Sequence, residues 1–241
     1  MQQSFYTAAL GAGSFNAKLS VIANNLANIN NNGFKSKTVA FSDLLNYNLN
    51  DSADAVTNLM AGNGIRVQRT YTDFSASAVT QTGGQLDYAI MEDNAFFMVQ
   101  DPTDDSISYT RSGRFHRGSL GGDTFYLLTE SNKLVLDREG RPIEVDDNGN
   151  LVEGQTVGIY TFRNPSRLLN TGNDEYVPAD EGAEVILLEN PVLARSALES
   201  SGTDLAKEMT QVIESQRAFS YALKMVTTSD EIESTINSLR G

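Results

Sequence analysis

The chain has 241 residues, 31 acids against 18 bases, one histidine, no cysteine and no tryptophan. That length can bury a real core as one domain or two, and the missing thiols exclude disulfides, thiolate metal sites and cysteine nucleophiles. The net charge of -13 is uneven, with Lys18, Lys35 and Lys37 and no acid in residues 1–42 but 24 acids and 11 bases in residues 43–197. An acidic middle argues against a nucleic-acid partner, which calls for clustered Lys and Arg.

From Phe5 the apolar positions Ala8, Ala12, Phe15, Leu19, Ile22, Leu26 and Ile29 follow at alternating spacings of 3 and 4. That is a coiled-coil-like seam, and it predicts a helix from about Ser4 to Asn28 that needs a partner. Gly11 and Gly13 weaken this helix, each by about 1 kcal/mol relative to Ala. The Asn-rich stretch Asn24–Asn32 with Gly33 should end it, because Asn competes for local backbone groups and tolerates positive φ. The same N-terminal segment lacks a basic n-region and a continuous apolar h-region, so no cleavable secretory signal is expected. No apolar run approaches the ~20 residues of a membrane span.

Residues 31–85 are rich in Ser, Thr, Asn and Asp and read as an extended connector, with a strand at Ile65–Gln68 and a helical turn at Asp43-Leu44-Leu45. Residues 86–195 read as a β domain. Apolar runs at Leu86–Met91, Phe96–Val99, Phe125–Leu128, Leu134–Leu136, Val157–Phe162 and Val185–Leu188 alternate with turn signals at Gly121-Gly122, Glu139-Gly140 and Asn148-Gly149. Residues 196–241 return to helix, with Ser201, Thr203 and Asp204 as candidate caps and Arg240 and Gly241 at the far end. Here Leu205, Met209, Val212, Gln216, Phe219, Leu223 and Val226 form a second seam with one polar, register-setting position. Termini that must meet each other, or other subunits, suit assembly rather than turnover. The fold class expected is α+β: N- and C-terminal helices (1–30 and 196–241) pairing as a coiled-coil-like layer, with an inserted, mainly antiparallel β domain.

A search for chemistry finds little. His116 stands without a second His, a Cys or a nucleophile motif, and general-base work needs an oriented partner. Glu144–Gly149 resembles the start of a calcium loop, but Gln155 occupies the position of the bidentate Glu, so a hairpin turn is the better reading. Gly11-Ala12-Gly13 follows no strand and lacks the third glycine of a dinucleotide fingerprint. No catalytic, cofactor-binding or metal residues are assigned, and no cofactor is expected.

Two terminal motifs then stand out. Ile22-Ala23-Asn24-Asn25-Leu26-Ala27-Asn28-Ile29-Asn30 with Gly33-Phe34-Lys35 resembles the N-terminal signature of the bacterial flagellar rod and hook proteins. Glu208-Met209, Gln216-Arg217-Ala218-Phe219 and Thr228-Ser229-Asp230-Glu231 resemble the C-terminal signature of the same family. Between them, Thr82–Ile90, Phe96–Val99, Tyr109–Phe115 and Phe162–Pro165 continue the likeness, which covers essentially the whole chain. Asn31 replaces a usual threonine, and Glu92-Asp93-Asn94-Ala95 replaces a glycine-bearing turn. The length resembles that of the family's intermediate rod proteins, the distal-rod type being expected over a proximal relative.

The resemblance implies a structural subunit of the basal-body rod, polymerising into a hollow helical tube that transmits torque and carries exported subunits. It implies export by the flagellar type III apparatus without cleavage. The implied partners are copies of the chain and other flagellar rod or hook proteins. The implied subunit-interface residues are Phe5, Phe15, Leu19, Ile22, Asn24, Asn25, Leu26, Asn28, Gly33, Phe34, Lys35, Leu205, Met209, Val212, Gln216, Arg217, Phe219, Leu223 and Val226. A monomeric β binding module with a self-contained helix hairpin, or a hook-type subunit, stands as the alternative.

Overall fold

A computed structural model describes residues 2–45, 47–48, 60–121, 123–147, 149–152, 154–179 and 184–240. In chain order the elements are α1 (Gln2–Ala27), β1 (Lys37–Asp43), β2 (Tyr47–Asn48), β3 (Met60–Ala61), β4 (Ile65–Thr72), β5 (Val79–Gln81), β6 (Tyr88–Ile90), β7 (Ala95–Gln100), β8 (Ile107–Thr110) and β9 (Phe115–Gly118). There follow β10 (Phe125–Thr129), β11 (Leu134–Val135), β12 (Glu144–Val145), β13 (Ile159–Phe162), β14 (Leu168–Gly172), β15 (Glu175–Pro178), β16 (Val185–Leu187), β17 (Leu193–Arg195), β18 (Ala197–Glu199) and α2 (Leu205–Arg240). Two compact units result, one of Met1–Ala27, Lys37–Tyr71 and Asp204–Gly241, the other of Asn28–Ser36 and Thr72–Thr203. This is the α+β arrangement expected.

The helical unit contains α1, α2 and the paired strands β1 and β4. At 26 and 36 residues the helices run about 39 and 54 Å at 1.5 Å per residue. They pack along each other, with the end of α1 against the start of α2, hence antiparallel. The β1–β4 ribbon lies against α1: Phe15 and Phe41 rings are 5.9 Å apart, and Ser14 donates to the Ile65 carbonyl at 3.1 Å. Asp204 caps α2 by accepting from the amides of Ala206 (2.9 Å) and Lys207 (3.2 Å), satisfying two of the orphan donors at a helix start.

The second unit is a sheet-built core. Its main sheet has the order β12-β10-β11-β7-β8-β15-β14, with β13 also on β7, β16 on β13 and β9 on β10. The pairings within it are antiparallel. β7 explains why the sheet is buried on two faces. Period-2 alternation sends Ala95, Phe97 and Val99 into one apolar cluster with Ile143 and Ile159, and Phe96 and Met98 into another with Phe74, Tyr109 and Tyr176. Two further pairs, β6 with β17 and β5 with β18, tie the beginning of this unit to its end.

Each of the six expected apolar runs contains a strand. Three expectations change, the first at residues 197–199, which were read into the C-terminal helical segment and form β18 instead. Residues 31–85 are divided between the two units, with β1 and β4 paired rather than forming one extended connector. Asp43 ends β1, and the Leu44 amide bonds the Gly64 carbonyl at 2.9 Å, so no helical turn forms there. At the Glu92–Ala95 departure, Asn94 adopts φ 56° and does the turn's work without glycine, since Asn enters the left-handed region at low cost. Of the turn signals, Gly140 and Gly149 have φ 75° and 79°. Gly122, Asn148 and Gly241 lie outside the described residues.

Candidate assembly interface

The face of α1 that the sequence seam marks is the packed one from Ala8 onward. Ala12 and Ile22 are buried, and Ala8, Phe15, Leu19 and Leu26 are half-buried. Phe5 lies outside that pattern with Tyr6 and Leu10, all exposed.

On α2 the packed stripe is phased differently from the sequence seam. Glu208, Val212, Ser215, Phe219, Ala222, Val226 and Ser229 are buried or half-buried, again at spacings of 4 and 3. Val212, Phe219 and Val226 belong to both patterns. Leu205, Met209 and Leu223 instead face solvent at 50%, 43% and 43% exposure, and Gln216 and Arg217 are exposed as well. The difference in phase has a simple cause. A seam sought among bulky apolar residues misses one built from Ser215, Ala222 and Ser229, whose small side chains let two helices approach closely. Leu205, Met209, Ile213, Leu223, Met225 and Ile232 remain as an exposed apolar set on a helix already packed on another face.

Where α1 ends, Asn25 is buried and its amide is used on both sides. Its Nδ2 donates to the Lys37 carbonyl (2.8 Å) and to Glu208 Oε1 (3.1 Å), and its Oδ1 accepts from the Lys37 amide (2.9 Å). One residue of the N-terminal signature thus joins α1, β1 and the Glu208 of the C-terminal signature. Asn24 is exposed and Asn28 half-buried, its Oδ1 accepting from Asn31 Nδ2 at 2.7 Å.

The second unit holds the rest of the N-terminal signature. Gly33, Phe34 and Lys35 are buried. Lys35 Nζ donates to Glu199 Oε1 at 2.7 Å and to the Ser75 carbonyl at 2.6 Å. Arg111 Nε meets Glu199 Oε2 at 2.5 Å while its other nitrogens donate to the carbonyls of Ala95 and Ile90. The Ser77 amide completes the carboxylate's set at 2.6 Å. Burial pulls the Lys35 pKa below the ordinary lysine value; Glu199 opposes that shift and Arg111 reinforces it. Gly33 donates its amide to the Glu199 carbonyl at 2.9 Å. It has φ 73°, and a Cβ there would stand 2.7 Å from the Arg111 carbonyl carbon and the Ser112 nitrogen. Gly33→Ala therefore combines positive-φ strain with a backbone clash and should cost ~1–3 kcal/mol, read as a lower urea midpoint for the β unit.

Sequence reading named Lys35 and Asn25 but not the partners Arg111 and Glu199. Glu199 gave no signal in the sequence, because it was read into the C-terminal helical segment, whereas it closes the buried strand Ala197–Glu199. His116 sits exposed on β9, opposite Leu128.

Comparison with known proteins agrees with this architecture. Residues 194–239 match the family model described as flagellar basal body rod FlgEFG protein C-terminal. Over 96% of this chain and 97% of the relative, the sequence is 31% identical to the flagellar basal-body rod protein FlgG of Bacillus subtilis. It is 28% identical to FlgF of Mesorhizobium japonicum over 99% of both chains, and 24% identical to the flagellar hook-basal body complex protein FlhP of Bacillus subtilis over the full length of each. With terminal helices joined through both signature motifs and a β unit between them, the chain belongs to the family of flagellar basal-body rod proteins.

Proposed function

We propose that the chain is a structural subunit of the flagellar rod, of the distal type, and that it polymerises with copies of itself and with other rod or hook proteins into a hollow helical tube. In this reading α1 and α2 form the inner layer around the channel, the tube transmits torque and passes exported subunits, and the chain reaches its place through the flagellar export apparatus without cleavage. The observation that carries the reading is the apolar set left exposed on both terminal helices, from Phe5, Tyr6 and Leu10 to Leu205, Met209 and Ile213. Exposed apolar residues at both ends of a helix pair already packed on another face suit interaction sites, and heterologous contacts that do not close produce an open filament.

Two further features support it. Gly11 and Gly13 weaken α1, yet beyond the helix's own turn no described residue lies within 4 Å of a Cβ placed at either, room that suits a neighbour. Charge is also partitioned: the β unit carries 22 acids and 10 bases, the helical unit 9 and 8. A nearly neutral helical unit permits close packing of many copies, whereas the acidic unit favours solvent.

The test replaces the native gene by a deletion in the source cells and restores it with a tagged copy. Purified basal bodies should contain the tagged chain in the rod, and the deletion should lack rods and motility. A motile deletion strain, or basal bodies without the chain, would overturn the proposal. In the isolated monomer, amide exchange should be fast at residues 2–10 and 225–240, where the apolar faces await neighbours, and slowest in β7 and β13. Strong protection of those ends in a verified monomer would contradict the need for partners.

A further inference from the structure

We infer that Asn25 and Glu208 form a register latch: they are positioning residues that select one sliding position of α2 on α1, and so fix how the two exposed apolar faces are displayed for assembly. The consequence for assembly rests on the rod reading above; the latch itself does not.

The need for a latch follows from the packed faces. α2 presents Ser215, Ala218, Ala222 and Ser229 among its packed positions, and α1 presents Ala8 and Ala12. Small side chains make shallow ridges, and a repeat of 4 and 3 looks nearly the same after a shift of seven residues. Sliding by one heptad therefore forfeits little apolar contact. A single buried polar residue in such a seam is the known means of specifying register.

Glu208 has the properties this role demands. It is the one buried charged residue of the helical unit among the described residues. Oε1 accepts from Asn25, while Oε2 is buried without a hydrogen-bond partner among the described residues. A half-satisfied buried carboxylate contributes poorly to stability, so its placement is better explained by specificity. Asn25 in turn is anchored to β1 through both Lys37 backbone groups, which gives the latch a fixed side. Any heptad shift would leave Glu208 without its donor and Asn25 Nδ2 without its second acceptor.

The test uses the full chain, whose lack of cysteine allows clean spin labelling at exposed Ala17 and Ile213 as A17C and I213C. The unaltered latch should give one narrow interspin distance. Glu208→Gln keeps the acceptor and should stay narrow. Glu208→Ala and Asn25→Asp, the latter setting two carboxylates against each other and losing the donor to the Lys37 carbonyl, should broaden the distribution or add a population displaced by ~10 Å, one heptad of helix. In cells, E208A and N25D should reduce chain recovered in basal bodies at least tenfold and E208Q should not, with monomer helix content unchanged throughout.

Narrow distances in E208A and N25D, or a broadened distribution in E208Q, would overturn the latch. So would loss of helix content in proportion to lost assembly, which is the signature of a merely structural role. Absence of the unaltered chain from basal bodies would instead overturn the rod reading, leaving the spin-label distances to decide the latch.

Discussion

Glu199→Ala should destabilise the β unit by roughly 3–5 kcal/mol, the largest effect of any single substitution away from the apolar clusters. The carboxylate is the common partner of Lys35 and Arg111, and all three side chains are at most 1% exposed. Removing it leaves two cations in an interior where solvent cannot compensate them, and frees the Ser77 amide as well. Glu199→Gln should cost less, because it retains an acceptor and the side-chain volume. The readout is urea unfolding followed by near-ultraviolet circular dichroism. With no tryptophan in the chain, that signal comes chiefly from Tyr88, Tyr109, Tyr160 and Tyr176, all buried in the β unit. A loss below 1 kcal/mol for the alanine variant would show that the triad is not the tie the geometry describes.

Charge placed on the exposed apolar face should separate folding from assembly. Leu223 is 43% exposed, so Leu223→Asp should change monomer stability by no more than about 0.5 kcal/mol, as surface substitutions do. In a tube wall the same carboxylate would be buried without a partner, at a cost of several kcal/mol. Each 1.4 kcal/mol is a factor of ten in an equilibrium constant, so rod incorporation should fall by about 100-fold or more. Leu19→Asp meets a different fate, because Leu19 is half-buried in the packed face of α1; the helical unit should lose its folded structure first and assembly with it. The β unit should remain folded in both variants. Thermal melts of the monomers and the yield of chain in purified basal bodies distinguish the two cases. Normal incorporation of the Leu223 variant would place the interface elsewhere on α2.

Both effects turn on features that were unequally legible in the chain. The seam of α1 could be read from Ala8 to Leu26 because bulky and small apolar residues recur there at helical spacing, and helix periodicity is a local property. The strands of the β unit were likewise visible as apolar runs between turn residues. The family signatures at the two ends identified the class of protein before any coordinate did. Of the β1–β4 ribbon only part of β4 was read, at Ile65–Gln68; β1 and the pairing were not, because β1 is at most half-buried and no period-2 signal rises there above the surrounding Ser, Thr and Asn.

Only the tertiary structure decided what the signature residues do within one subunit. Asn25 meets a carboxylate 183 residues away and Lys35 one 164 residues away, and no spacing rule connects positions so distant. It also decided which stripe of α2 is packed and which is left free. Both stripes have the same period, Val212, Phe219 and Val226 belong to both, and the choice between their other members depends on how closely the partner helix approaches. Periodicity fixes that a helix has a face; the volume available against a neighbour determines which face it is.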